Sequence, residues 1–159
     1  MHLVRPILEY AADLWFPHLM KHQSALEKVQ RRITKKIFGL QTLSYLERLH
    51  FLNLHSLWWR LTRGSLINVY KILVCDYGGP TAQNLFALVP YSRTRGHPLK
   101  LSRPKIFKNP AKGFFTYRVI QYWNDLPESV VEAQNVNLFK NRLDEFVQNN
   151  TNWQYIFIN

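Results

Sequence analysis

The stretch "SLWWRLTRGSLINVYKILVC", residues 56–75, constrains this chain more than any other. Leu57, Trp58, Trp59, Leu61, Leu66, Ile67, Val69, Tyr70, Ile72 and Leu73 run almost all the way round a helical projection. A helix that is apolar on nearly every side belongs at the centre of a packed array. Ser56 is placed to start it, and Cys75, at its apolar end, is expected to be buried. Gly64 inside it either weakens the helix or marks the close approach of a neighbour.

The flanking sequence offers elements to cover such a helix. In "HQSALEKVQRRITKKIFG", Leu26, Val29, Ile33 and Ile37 step by 3, 4 and 4, which predicts a helix with one apolar stripe and Gly39 just past its end. Ser44 and Glu47 form a capping-box pattern before "YLERLHFL". A short helix is expected over residues 3–16, stopped by Pro17. After the breaker "DYGGP" a short helix is expected at "TAQNLFAL". Two amphipathic helices close the chain, with inner faces Phe115, Val119, Tyr122 and Trp123, then Phe139, Leu143, Phe146 and Val147. The predicted fold is mainly α, a helical array with a short basic extended arm or β-hairpin in the second half. The subregions expected are 1–77 and 78–159, sharing a core.

Charge is the second constraint. The formal net charge is +11, which points to a polyanionic partner, nucleic acid before membrane. The excess is clustered. Residues 21–36 hold six basic residues and one acid, and residues 93–112 hold seven and none, whereas residues 113–159 hold three and five acids. Lys28, Arg31, Arg32, Lys35 and Lys36 fall on one arc of the predicted helix, opposite its apolar stripe. Residues 91–110 lack helical periodicity and carry three prolines, so they read as an extended arm or hairpin turning near Arg95 and Gly96. Arg93, Arg95, His97, Lys100, Arg103 and Lys105 on that arm are the second set of candidate phosphate contacts. A solvated loop or a nuclear localisation signal is the plainer reading of the arm.

Catalytic patterns do not assemble. The ten carboxylates are scattered, with no Asp-Asp pair for two metals, no Walker loop and no Gly-x-Ser-x-Gly. His18 and His22 lack a third ligand at metal spacing, so neither a metal nor a cofactor is expected. One cysteine forms no intrachain disulfide and fits a reducing compartment. No run of 18 apolar residues exists, and the first residues lack the pattern of a secretory leader. An intracellular chain, nuclear or cytoplasmic, is expected.

The words "LVRPILEYAADLWFP", "LEKVQRRITKKIFGL", "LSYLERLHFLNLHSL", "GSLINVYKIL", "SRTRGHPLKL", "FFTYRVIQYWNDLP" and "VNLFKNRLDEFV" occur in one order with short gaps. Over roughly residues 3–147 this set resembles the C-terminal region of LINE-type (non-LTR) retrotransposon reverse transcriptases, of the jockey and chicken-repeat kind. The resemblance implies a segment that follows the catalytic palm and covers the end of the thumb and what lies beyond. It also implies that the palm's metal-binding aspartates lie upstream of this sequence, and that Met1 falls inside the family's pattern. Residues 92–97 match the family word "SRTRGH", and Pro98 stands where the family usually continues with Ser. The expected function is therefore non-catalytic: holding RNA or DNA beside an upstream thumb and palm. The alternatives are a structural brace or protein-interaction module with incidental charge, and a membrane-surface helix over residues 24–38.

Overall fold

The computed structural model describes residues 6, 9–17, 19–80, 84–90, 96–103, 114–150 and 153. Seven helices are named within them: α1 (Ala12–Trp15), α2 (Met20–Lys35), α3 (Tyr45–Phe51), α4 (Leu57–Leu73), α5 (Phe115–Asn124), α6 (Glu128–Val131) and α7 (Val136–Asn149). The chain is mainly helical, and the only β pairing among the described residues is one isolated bridge. None of the described helices is long and apolar enough to cross a membrane.

The central position of α4 follows from its sequence. Ten of its residues are buried, and it packs against α1, α2, α5 and α7. The larger core cluster joins Leu66, Val69 and Tyr70 of α4 to Val119 and Trp123 of α5, Val130 and Val131 of α6, and Phe139 and Leu143 of α7. It crosses the "DYGGP" break, so α4 from the first half and three helices from the second share one interior. Within it the rings of Tyr70 and Phe139 stack at 4.3 Å, and the Tyr70 hydroxyl donates to Ala133 O. Arg63 and Asp144 add a two-pronged bridge between α4 and α7, at 2.6 and 2.7 Å. A smaller cluster of Phe16, Leu57 and Leu61 lies at the start of α4, with Ala12, Leu26 and Trp58 against it.

The capping box is present: Ser44 N donates to the Glu47 carboxylate at 2.6 Å, and Glu47 N donates to Ser44 Oγ at 3.3 Å. Ser56 caps α4 by accepting from Trp59 N at 3.2 Å.

The sequence expectations are met only in part. Cys75 is exposed, because α4 ends at Leu73 and the chain leaves through a turn with Asp76 at φ 52°. The helix expected at "TAQNLFAL" is described only at its edges: Gly79 and Pro80 are helical, Asn84 N donates to Pro80 O at 3.2 Å, residues 81–83 lie outside the described set, and residues 84–90 are not helical. Their backbone is committed elsewhere: Leu88 bridges Leu101, Val89 N donates to Lys100 O at 2.8 Å, and Ser102 N donates to Ala87 O at 2.7 Å. That bridge is the only described pairing of the expected arm or hairpin. Gly64 meets no atom within 4 Å of a built Cβ, so it marks no close contact. The stripe on α2 is displaced: Val29 is 39% exposed, while Gln30 and Thr34 are buried. The N-terminal expectation is met in part: Pro6 and Glu9 are helical, Tyr10 N donates to Pro6 O at 2.9 Å, Ala11 at φ 49° interrupts the run before α1, and residues 1–5, 7 and 8 lie outside the described set.

Candidate nucleic-acid interface

Lys28, Arg31, Arg32, Lys35 and Lys36 are all exposed. At about 100° per residue they span an arc of roughly 140° on α2 and its C-cap. Among the described residues none of the five forms an ion pair. Arg31 lies over the Tyr45 ring at 4.6 Å, which orients one guanidinium and leaves its charge in place.

The opposite side of α2 explains why this face points outward. Gln23, Glu27, Gln30 and Thr34 repeat at 4, 3 and 4, and each is tied down. The Glu27 carboxylate accepts from Leu57 N at 2.9 Å and from Trp58 N at 3.3 Å, and the Tyr45 hydroxyl also donates to it. With Ser56 holding Trp59 N, the first three N–H groups of α4 are all satisfied, and a negative charge sits at the positive end of that helix. Burial, then the hydrogen bond to Glu27, push the Tyr45 phenol well above its ordinary range, so it remains a donor. Gln30 Nε2 donates to Tyr45 Oη and to His55 O, each at 3.0 Å, and its Oε1 accepts from Arg60 at 3.1 Å. Thr34 Oγ1 donates to Gln30 O at 2.9 Å and accepts from Arg48 Nε at 3.3 Å. Gln23 reaches Pro17 O at 2.9 Å. This polar ladder has the same spacing as an apolar stripe, and that spacing is the signal by which the sequence marks it.

Five other arginines have structural work, among them Arg142, which donates to Ser129 O at 2.6 Å. Arg48 is buried and donates to Leu43 O. Arg60 pairs with Glu9 at 3.1 Å, and Arg63 with Asp144. Arg118 donates to Phe16 O at 3.1 Å and lies 4.4 Å over the Phe16 ring, and burial pulls its guanidinium below its ordinary value.

The arm divides. Arg93, Arg95 and Lys105 lie outside the described residues. Arg103 is exposed and Lys100 half-buried. His97 corrects the sequence reading: it is 2% exposed, its Nε2 lies 3.0 Å from Trp123 O, and its ring meets Trp123 edge-on at 5.8 Å. A backbone carbonyl only accepts, so Nε2 carries the proton there. Burial lowers the imidazole's pKa, which keeps it neutral, so it offers no cation to a phosphate. Residues 96–103 are fastened to the end of α5. Trp123 Nε1 donates to Leu99 O at 2.7 Å, and the Asn124 amide brackets the Leu101 backbone with two bonds of 2.8 Å. Of the eleven candidates the structure thus places five together on α2, leaves two on the far part of the arm, and removes His97.

Among the described residues no three His, Cys, Asp or Glu side chains gather as a metal site. An open groove of about 480 Å³ lies between α3, the start of α4 and the end of α7, floored by Leu46, Leu49, Leu54, Trp59 and Val147. No protein-family model, no curated protein and no solved structure matches this chain.

Proposed function

We propose that this chain is a non-catalytic nucleic-acid-holding segment of a retrotransposon RNA-directed DNA polymerase, standing beyond the thumb. The observation that carries the reading is the outward face of α2, five exposed cations on a helix whose other side is locked by directional bonds. A row of cations on an anchored helix suits a phosphate chain, because no ion pair among the described residues has to break when it binds. The ordered family words in the sequence support the origin. Arg103, also exposed, is a further cation on the arm.

The test is a salt series. If five α2 cations each meet a phosphate of a single strand, log affinity against log salt has a slope of about −3.5. Replacing Arg31, Arg32 and Lys35 by alanine lowers that magnitude by roughly two, with little dependence on base sequence. An unchanged slope sinks the reading. Lys140 serves as the control, and Arg118 and Arg142 do not, since removing them breaks the contacts to Phe16 and the bond to Ser129 O.

A second reading, a protein-interaction module, draws on the apolar groove beside α3. Concentration-dependent self-association that Leu46→Asp abolishes would favour it.

A further inference from the structure

Phe38 is 96% exposed, an unusual position for a large apolar ring on an anchored segment. Thr34 on one side is fully buried and Leu40 on the other is 4% exposed. The turn between them is closed by Ile37 N donating to Thr34 O at 3.4 Å and Leu40 N donating to Ile37 O at 3.1 Å. Gly39 sits at φ 82°, a left-handed conformation that a side chain would strain. The ring is therefore displayed by a fixed turn, two residues beyond Lys36, the last cation of the basic face.

Two partners fit this placement poorly. A membrane surface takes up a helix through a broad apolar face beside its charges. Here the inner side of α2 is engaged through Glu27, Gln30 and Thr34, and the exposed large apolar side chains of α2 and its ends are Leu19, Val29 and Phe38, spread from residue 19 to residue 38, which make no broad face. A duplex offers phosphates to the lysines, but its bases are already stacked on each other and present no face to a ring. An unpaired strand satisfies both halves: its phosphates meet the cations and a free base face meets the phenyl ring.

We infer that Phe38 is a base-stacking platform at the end of the α2 basic face, so that this site takes single-stranded nucleic acid in preference to duplex. The inference rests on the proposed function and names its substrate class. Its test uses the full chain with oligouridylate and oligodeoxythymidylate of about 20 nucleotides and a blunt duplex of equal length. Phe38→Ala is expected to weaken single-strand binding by at least about fivefold, to leave duplex binding unchanged, and to leave the salt slope unchanged. Phe38→Trp restores or tightens the single-strand complex. The ring is in solvent, so unchanged circular dichroism should accompany both variants. Equal affinity of the wild type for the two strand forms, or a Phe38→Ala effect that is nil or the same on both, overturns the inference and leaves the nucleic-acid reading standing. Binding to anionic vesicles that Phe38→Ala abolishes, with single-strand affinity untouched, also overturns it. Failure of the wild type to bind any of the three nucleic acids removes both.

Discussion

Helices α2 and α7 pack against the same central helix by different means. α7 is held mainly by area: Phe139, Leu143 and Val147 are buried among Tyr70, Trp123 and Val131, and the Arg63–Asp144 bridge is its directional tie to α4. α2 gives only Leu26 to a hydrophobic cluster, as a partly buried neighbour. It is held by hydrogen bonds from Glu27, Gln30 and Thr34 instead. Area is tolerant of small rotations, whereas a carboxylate shared by two N–H groups fixes both rotation and register. A helix whose work is to aim a row of cations gains from the second kind of joint.

The largest expected effect comes from the apolar side. Phe139 is fully buried and stacks on Tyr70. Phe139→Ala should cost about 3–5 kcal/mol, and since the core crosses both halves of the chain, the loss should unfold all helices together. Thermal unfolding followed by far-ultraviolet circular dichroism and by tryptophan fluorescence checks this. If α2 and α3 melted separately while α4–α7 stayed folded, the shared core would be the wrong description.

Next in size is the polar joint. Glu27→Ala leaves Leu57 N, Trp58 N and the Tyr45 hydroxyl without their acceptor. Hydrogen bonds to a charged group are worth roughly 1.5–3 kcal/mol, and water entering at the helix end returns part of that. Glu27→Gln, which keeps one acceptor oxygen and gives up the charge, should lose about half as much. Hydrogen exchange should rise in residues 20–35 and at the start of α4 while Phe139–Val147 remain protected. Uniform faster exchange across α2 and α7 would show that the two joints are not distinct.

The same contrast separates what the sequence discloses from what it conceals. α4, α5 and α7 are legible because apolar periodicity both makes and buries them; Val119, Trp123, Phe139, Leu143 and Val147 all lie where their spacing puts them. The rotation of α2 is concealed, since a reading that counts only apolar residues selects Leu26, Val29, Ile33 and Ile37 and passes over the polar ladder at Gln23, Glu27, Gln30 and Thr34. The basic arc survives that error because it lies opposite both stripes. Cys75 misleads because helix termination is set by the turn at Asp76, Gly78 and Gly79 and not by the apolarity of the last residues. His97 misleads most: nothing in a run of basic neighbours distinguishes a histidine aimed at a partner from one aimed at Trp123, which is 26 residues away.

His97 also supplies the smallest effect, and one that discriminates between the two regions by pH. It is fastened to Trp123 of α5. Burial is the first cause of its lowered pKa; Lys100 lowers it further, while the bond to Trp123 O and the charge of Glu128 act the other way. A histidine with a depressed folded pKa binds fewer protons in the native state than in the unfolded chain. Its contribution to stability is then complete above the unfolded value of about 6.5 and is lost as pH falls below it toward the folded value. The slope cannot exceed about 1.4 kcal/mol per pH unit for one proton. His97→Gln keeps an amide N–H to offer to Trp123 O and has no titration in this range. Melting temperatures of both proteins between pH 7.5 and 5 should therefore converge as the pH falls, from a wild type that is the more stable at pH 7.5. Carboxylates and the remaining histidines contribute to the wild type and the variant alike, so the difference between the two curves isolates His97. Parallel curves would mean that His97 titrates in the native state as it does in the unfolded chain, and that this part of the arm reaches solvent as α2's cations do.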